Sequence, residues 1–206
     1  MALATYSDLK TTIANYLART DLTSQIPDFI TMAENRLRRE LRIRQMLKIV
    51  TASTTANDST VSLPSDFLEL RDVHLNTTPV EALDYYAPSI FFRNARTTDT
   101  GRPKIYTITA SEIQFAPIPD SVMTVQMLYY AAPTYLSDTN TSNVFLANCV
   151  DVLLYAALGE AEPYLMNDER LSTWAALYQR GVDAINISDD RGEYSAQPLA
   201  MTLSKR

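Results

Sequence analysis

From Lys48 onward the apolar residues of this chain stop recurring every three or four positions and begin to alternate, and at Asn143 the helical spacing returns. Alternation suits a half-buried strand, whereas apolar residues at i, i+3, i+4 and i+7 suit an amphipathic helix. A segment written in one period cannot adopt the other without turning its apolar face to water. The order helices, strands, helices therefore segregates the two kinds of structure. It excludes an alternating βαβ arrangement and defines an α+β fold. The expected architecture is a helical bundle from the N- and C-terminal segments, with a β-rich insertion and an extended C-terminal tail. The pattern puts N-terminal helices in 1–48, the insertion in 49–135, C-terminal helices in 136–188 and the tail in 189–206.

Individual elements follow from the same spacing. Leu9, Ile13, Tyr16 and Leu17 predict a helix near 7–19, with Ser7 as its N-cap. The Ile26-Pro27 step, or Ser24, opens a longer helix to about residue 47, with a stripe of Ile30, Ala33, Leu37 and Leu41. "ANDS" predicts a turn between two strands in "KIVTASTTANDSTVSLP", and "FLELRDVHL" reads as another strand. "DYYAPSIFFRNA" suits a short aromatic helix and "TGRP" a turn. "KIYTITASEIQFAPIP" suits a tight hairpin, with Tyr106 and Ile108 on one arm and Ile113 and Phe115 on the other. "VMTVQMLYYAAP" is a long strand. "NVFLANCVDVLLYAALGEAEPYL" is apolar on nearly all sides and predicts one buried central helix over 143–165, ended or kinked by Pro163. A last helix over 168–188 carries Leu171, Trp174, Leu177 and Tyr178, capped by Asn167 or Asp168.

Little in the inventory builds a reactive centre. His74 is the only histidine and Cys149 the only cysteine, so neither a histidine-based nor a cysteine-rich metal site can be written. Cys149 lies in an apolar run, where a small buried residue is expected. Gly101, Gly159, Gly181 and Gly192 are widely scattered, so no glycine-rich phosphate loop exists. The carboxylate pairs Glu160/Glu162 and Asp189/Asp190 point different ways on a helix and read as solvated charge. We therefore expect no catalytic, cofactor or metal residues. No apolar run is long enough for a membrane span, and "MALATYSDLK" lacks the layout of a signal peptide. The tyrosines at 85, 86, 129, 130 and 135, with Phe91 and Phe92, suit either strand packing or an amphipathic contact surface.

One stretch stands against the chain's net charge of −6. "ENRLRRELRIRQM" gathers Arg36, Arg38, Arg39, Arg42 and Arg44 against Glu34 and Glu40. On a helical projection Arg38, Arg39 and Arg42 lie away from the apolar stripe, while Arg36 and Arg44 fall near or within it. Three readings are open: a solvated face, contact with DNA, or pairing with an acidic face of another subunit or partner. An acidic whole disfavours the second, because non-specific DNA binding is mostly cation–phosphate attraction.

Three stretches in order give the chain a resemblance to the head–tail adaptor (connector) proteins of short-tailed bacteriophages. They are "YSDLKTTIANYLARTDLTSQIPDFITMAENRLRRELRIRQM", "VSLPSDFLELRDVHL" and "GRPKIYTITASEIQFAPIPDSVMTVQMLYYAAPTYLS". The resemblance covers most of the chain but not about 189–206. It implies a virion structural protein and no enzyme. Copies would form a ring below the portal, twelve if they follow the portal's symmetry, bridging portal to tail and extending the DNA channel. Partners would be further copies, the portal and tail or nozzle proteins. DNA would pass through the lumen without specific binding, and no membrane would be involved. The site would be the virion neck, after assembly in the host cytoplasm. Alternatives are another ring or nozzle component of the tail, or a small monomeric enzyme or regulator. Under the resemblance the arginine stretch seats against a neighbour or the portal. The tail, with Tyr194, Leu199, Met201 and Leu203, docks on the portal or an adjacent subunit. Pro198 bars a continuous helix there, and Leu199, Met201 and Leu203 share one face of an extended strand.

Overall fold

A computed structural model describes residues 3–94, 99–166 and 168–194. They divide into two compact units. Unit 1 comprises Met1–Gln45 and Pro133–Arg206, and unit 2 is Met46–Ala132.

Unit 1 is helical. Helix α1 is Tyr6–Leu17, and α2 is Ile26–Glu40. The short α4 is Val144–Asn148, α5 is Val150–Leu165 and α6 is Asp168–Tyr194. The cap of α1 is Thr5, not Ser7. Thr5 and Asp8 form a reciprocal capping box, while Tyr6, Leu9, Ile13 and Leu17 are buried at helical spacing. α5 packs against α1, α2, α4 and α6. Its apolar residues on all sides are explained by that central place, with Val152, Leu153, Ala156, Ala157 and Leu158 buried. Gly181 of α6 faces α5 so closely that an added Cβ would lie 2.6 Å from Val152 Cγ2.

Three helix boundaries differ from expectation. α2 stops at Glu40, and Leu41 is extended, so Arg42 and Arg44 lie outside the helix. Leu41 and Ile43 are both buried, and only an extended chain turns residues two apart to the same side. Arg44–Met46 then forms a 3-10 turn. The expected single helix over 143–165 is broken at Cys149, with no glycine or proline to announce it. Finally, α6 runs to Tyr194, so residues 189–194 are helical rather than part of an extended tail. Its inward stripe is Trp174, Tyr178, Val182 and Ile185, which shifts away from the exposed Leu171. The last inward positions are Asp189 and Gly192, so the apolar stripe ends before the helix does. Asn167 and the tail residues from 195 onward, including Leu199, Met201 and Leu203, lie outside the described residues, as do the side chains of Asp168 and Tyr194.

Unit 2 holds the strands. In chain order they are β1 (Leu47–Ser53), β2 (Thr60–Ser62), β3 (Phe67–Leu75), β4 (Glu81–Ala82) and β5 (Asp84–Tyr85). After helix α3 (Pro88–Asn94) come β6 (Thr100–Gly101), β7 (Ile105–Thr109), β8 (Glu112–Ala116), β9 (Ile118–Pro119) and β10 (Thr124–Ala131). One sheet has the order β1-β10-β3-β4, a second β2-β8-β7-β5, and β6 pairs with β9. The "ANDS" turn exists, with Asn57 at positive φ and Asp58 accepting from the Thr60 N–H. The strands it separates belong to different sheets and do not pair with each other. "TGRP" contributes β6, with its bend at Arg102. β7 and β8 form the expected hairpin around Ala110, and β10 is the expected long strand. Val73, Leu75, Tyr106, Ile113, Phe115, Val125 and Met127 build the core.

Candidate functional site

The arginine stretch occupies the end of α2 and the extended residues after it. Its Glu34 and Arg38 face the segment 133–143, where the chain re-enters unit 1 without regular structure. Backbone groups in such a segment lack a ladder partner and must be satisfied by side chains.

Asn140 donates to the carbonyls of Thr134 and Tyr135, Asn143 donates to that of Thr134, and Glu34 takes the buried N–H of Leu136. Glu34 is 1% exposed, and both its oxygens accept from the Leu136 N–H, at 3.1 and 3.2 Å. Asn143 Nδ2 donates to Glu34 Oε1 at 2.6 Å, while Asn143 Oδ1 accepts from the Leu146 N–H and caps α4. One carboxylate thus ties α2 to the returning chain and to the start of α4. Burial raises the Glu34 pKa; the hydrogen bonds from Leu136 and Asn143 and the charge of Arg38 oppose that rise.

The arginines complete the clamp. The Arg38 guanidinium lies 3.4 Å from the centre of the Tyr135 ring, and its Nη2 donates to the Pro133 carbonyl. Arg42 Nη1 donates to the carbonyls of Arg38 and Leu41, at 2.9 and 2.7 Å, and so caps the C-terminal end of α2. Arg36 stacks on Tyr178, 4.1 Å from the ring centre, and its Nε donates to Glu40 at 3.1 Å. Tyr178 Oη donates to the same carboxylate. Burial and that hydrogen bond hold the Tyr178 hydroxyl above the ordinary phenol range. Arg44 donates from its backbone N–H and its Nε to Asp189 Oδ1, both at 3.0 Å, and its guanidinium lies against Gly192. Arg39 is exposed and has no partner among the described residues.

Of the nine candidate positions, then, Arg36, Arg38, Arg42 and Arg44 engage their own chain and Arg39 faces outward. Tyr194 ends α6, and Leu199, Met201 and Leu203 lie outside the described residues. The residues that sequence reasoning missed are their partners Glu34, Glu40, Tyr178 and Asp189. Glu34 carried a readable signal. It follows Ile30 by four positions and precedes Leu37 by three, which places it inside the apolar stripe.

The reactive residue types are dispersed. His74, on β3, sits 3.2 Å from Gln126 Oε1 and 3.4 Å from Asp72 Oδ2. Cys149 is buried in unit 1, and burial pushes its thiol up to about 11. Glu162 is buried, accepting from Trp174 Nε1 at 2.8 Å. Tyr106 and Tyr129 are buried in unit 2, whereas Tyr85 and Phe92 are exposed. A groove of about 510 Å³ beside α1 is lined by Lys10, Thr11, Ala14 and Thr23, and one of about 620 Å³ in unit 2 by Phe67, Tyr85 and Tyr106. Among the described residues no three His, Cys, Asp or Glu come together as a metal site, and no helix is long and apolar enough to cross a membrane.

Whole-chain comparison supplies the class that local chemistry does not. This is a phage adaptor protein, of a kind that is structural rather than enzymatic. The chain belongs to the SU10 adaptor protein family, whose family model matches residues 4–202. The match runs past residue 188, where the motif resemblance ended, and takes in Leu199 and Met201. No curated protein matches the chain.

Proposed function

We propose that this protein is a head–tail adaptor that forms a ring below the portal, bridges portal to tail and extends the channel through which DNA leaves. The observation that carries this reading is the adaptor-family match over residues 4–202. Twelve copies would follow the portal's symmetry. A closed ring of identical chains needs two different, complementary faces on each subunit. A net charge of −6 suits a conduit whose wall must not hold phosphate. The cationic contact with an acidic neighbour or the portal rests on Arg39, because the other four arginines already have partners in their own chain. The C-terminal residues Tyr194, Leu199, Met201 and Leu203 supply a second, apolar contact.

The test is a phage lacking this gene. Heads should package DNA, fail to attach tails and be rescued by the wild-type chain supplied in trans. Cryo-microscopy of the rescued particles should show a twelve-membered ring at the outer end of the portal. Density for the chain only at the far end of the tail would make it a nozzle component instead. Tailed, infectious particles without the protein would overturn both readings.

A further inference from the structure

Most sheet edges in unit 2 are blunted by shortness. The first sheet ends on one side in the two-residue β4, and the second ends in the three-residue β2 and the two-residue β5. β1 is different. It has seven residues, pairs with β10 in unbroken register, and has no strand on its other side among the described residues. It contains no proline. Ile49, at its middle and opposite Leu128, is 64% exposed. Natural proteins shorten, kink or cover an edge of this kind, because its free N–H and C=O groups accept any passing strand. β1 is neither short nor kinked, and its one charged side chain, Lys48, is drawn into a pair with Asp66, so the edge is left open to a covering strand.

The chain carries a segment written for that role. After Pro198, Leu199, Met201 and Leu203 alternate with Ala200 and Thr202, the period of a strand with one apolar face. The point from which this segment leaves is held: Asp189 and Gly192, in the last turns of α6, are clasped by Arg44. Four residues, 195–198, separate the helix end from Leu199.

We infer that residues 199–203 of one copy add as a strand to the free edge of β1 in the next copy, with Leu199, Met201 and Leu203 on the side of Ile49. The inference rests on the ring reading above and names the contact that closes the ring. Donor and acceptor are different surfaces of one chain, so the contact is heterologous. Each copy gives one strand and receives one, which is what a closed ring requires. Main-chain hydrogen bonds supply the attachment, and the apolar face covers Ile49 and fixes the register.

Particles assembled from a mixture of two chains test this, one chain carrying Ile49→Cys and the other one introduced cysteine at 199, 200, 201, 202 or 203. Cys149 is buried and stays out of the exchange. After oxidation, the cross-linked pair should form at 199, 201 or 203 with a yield on the order of tenfold above that at 200 and 202, because only residues of one parity share a face with Ile49. Equal yields at all five positions would overturn the inference, as would no cross-link in particles that contain the protein. Absence of the protein from purified particles would overturn the ring reading itself, so the two failures are distinguishable. Truncation after Gln197 should leave thermal unfolding of the isolated chain unchanged and sharply lower its incorporation into particles. Normal incorporation of the truncated chain would count against the strand contact.

Discussion

In unit 2 the backbone carries the architecture, whereas in unit 1 named side chains do. β10 is paired along both sides, with β1 and β3, and the hairpin β7–β8 sits between β2 and β5. Polar side chains add to that frame, as where Asp66 accepts from Lys48 and Tyr129. In unit 1 the segment 133–143 has no ladder, and Glu34, Arg38, Asn140 and Asn143 supply partners for its backbone groups. Charge near the end of α2 is therefore part of how that unit closes. Unit 2 should respond mainly to lost apolar volume, and unit 1 to altered polar groups as well.

The largest effect should come from the core of unit 2. Phe115 is 1% exposed, and Phe115→Ala should cost about 3–5 kcal/mol in chemical denaturation, as buried aromatic truncations do. Lys48→Ala in the same unit should cost under about 1 kcal/mol, since its pair with Asp66 is largely exposed. A large loss from Lys48→Ala would break the contrast.

Next comes Glu34. Glu34→Ala leaves the Leu136 N–H buried without an acceptor and should cost about 2–3 kcal/mol, while Glu34→Gln keeps an acceptor and should cost under about 1 kcal/mol. The pH dependence sharpens this. The folded-state pKa of Glu34 is raised, so the folded form holds its proton more tightly than the unfolded chain. Its contribution to stability falls as pH rises from the ordinary carboxylate range through the raised pKa. Asp66 is the opposite case. Lys48, its principal partner, lowers its pKa, so its contribution is present above the ordinary carboxylate value and is lost as pH falls through the lowered one. Unfolding midpoints across acid pH should therefore show that Glu34→Gln removes a component that weakens with rising pH. Unchanged slopes would contradict the buried charge.

Smaller effects than the core truncation concern two glycines and should differ in sign. Gly159 has open space where a Cβ would be added, so Gly159→Ala should stabilise α5 by about 0.5–1 kcal/mol through backbone entropy. Gly181→Ala drives a methyl into Val152, which is buried and stiff, and should instead destabilise by about 1–2 kcal/mol. Equal shifts would mean that the close approach of α5 and α6 is not maintained in solution.

The same contrast explains what could be read from sequence. Alternation and helical spacing are local, so the β7–β8 hairpin, strand β10 and the central place of α5 were legible. Strand pairing is not local: the turn at Asn57 was readable, but nothing near it says that β1 pairs with β10 and β2 with β8. Side-chain ties are equally non-local. Leu41 continued the stripe of α2 at helical spacing, and only the burial of Ile43 reveals the extended chain. α6 outran its apolar stripe because Arg44, more than a hundred residues earlier, holds Asp189. Thr5 and Asp8, by contrast, stand at capping-box spacing, a local signal that favours Thr5 over Ser7 as the cap. The arginines were legible as a cluster, but their use was not, since Tyr135, Tyr178 and Asp189 are far away in the chain.

Most of this cluster serves the fold of its own chain, and paired charge reversals followed by denaturation of the isolated protein test that most directly. Arg38 stacks on Tyr135 and donates to Pro133, and it lies near the buried Glu34. Arg38→Glu should destabilise by about 2–4 kcal/mol, because it removes a charged hydrogen bond and sets two carboxylates together. Arg39→Glu, at an exposed position without a partner among the described residues, should change stability by under about 0.5 kcal/mol. Equal and negligible effects at the two positions would show that the cluster is surface charge after all and contradict the account.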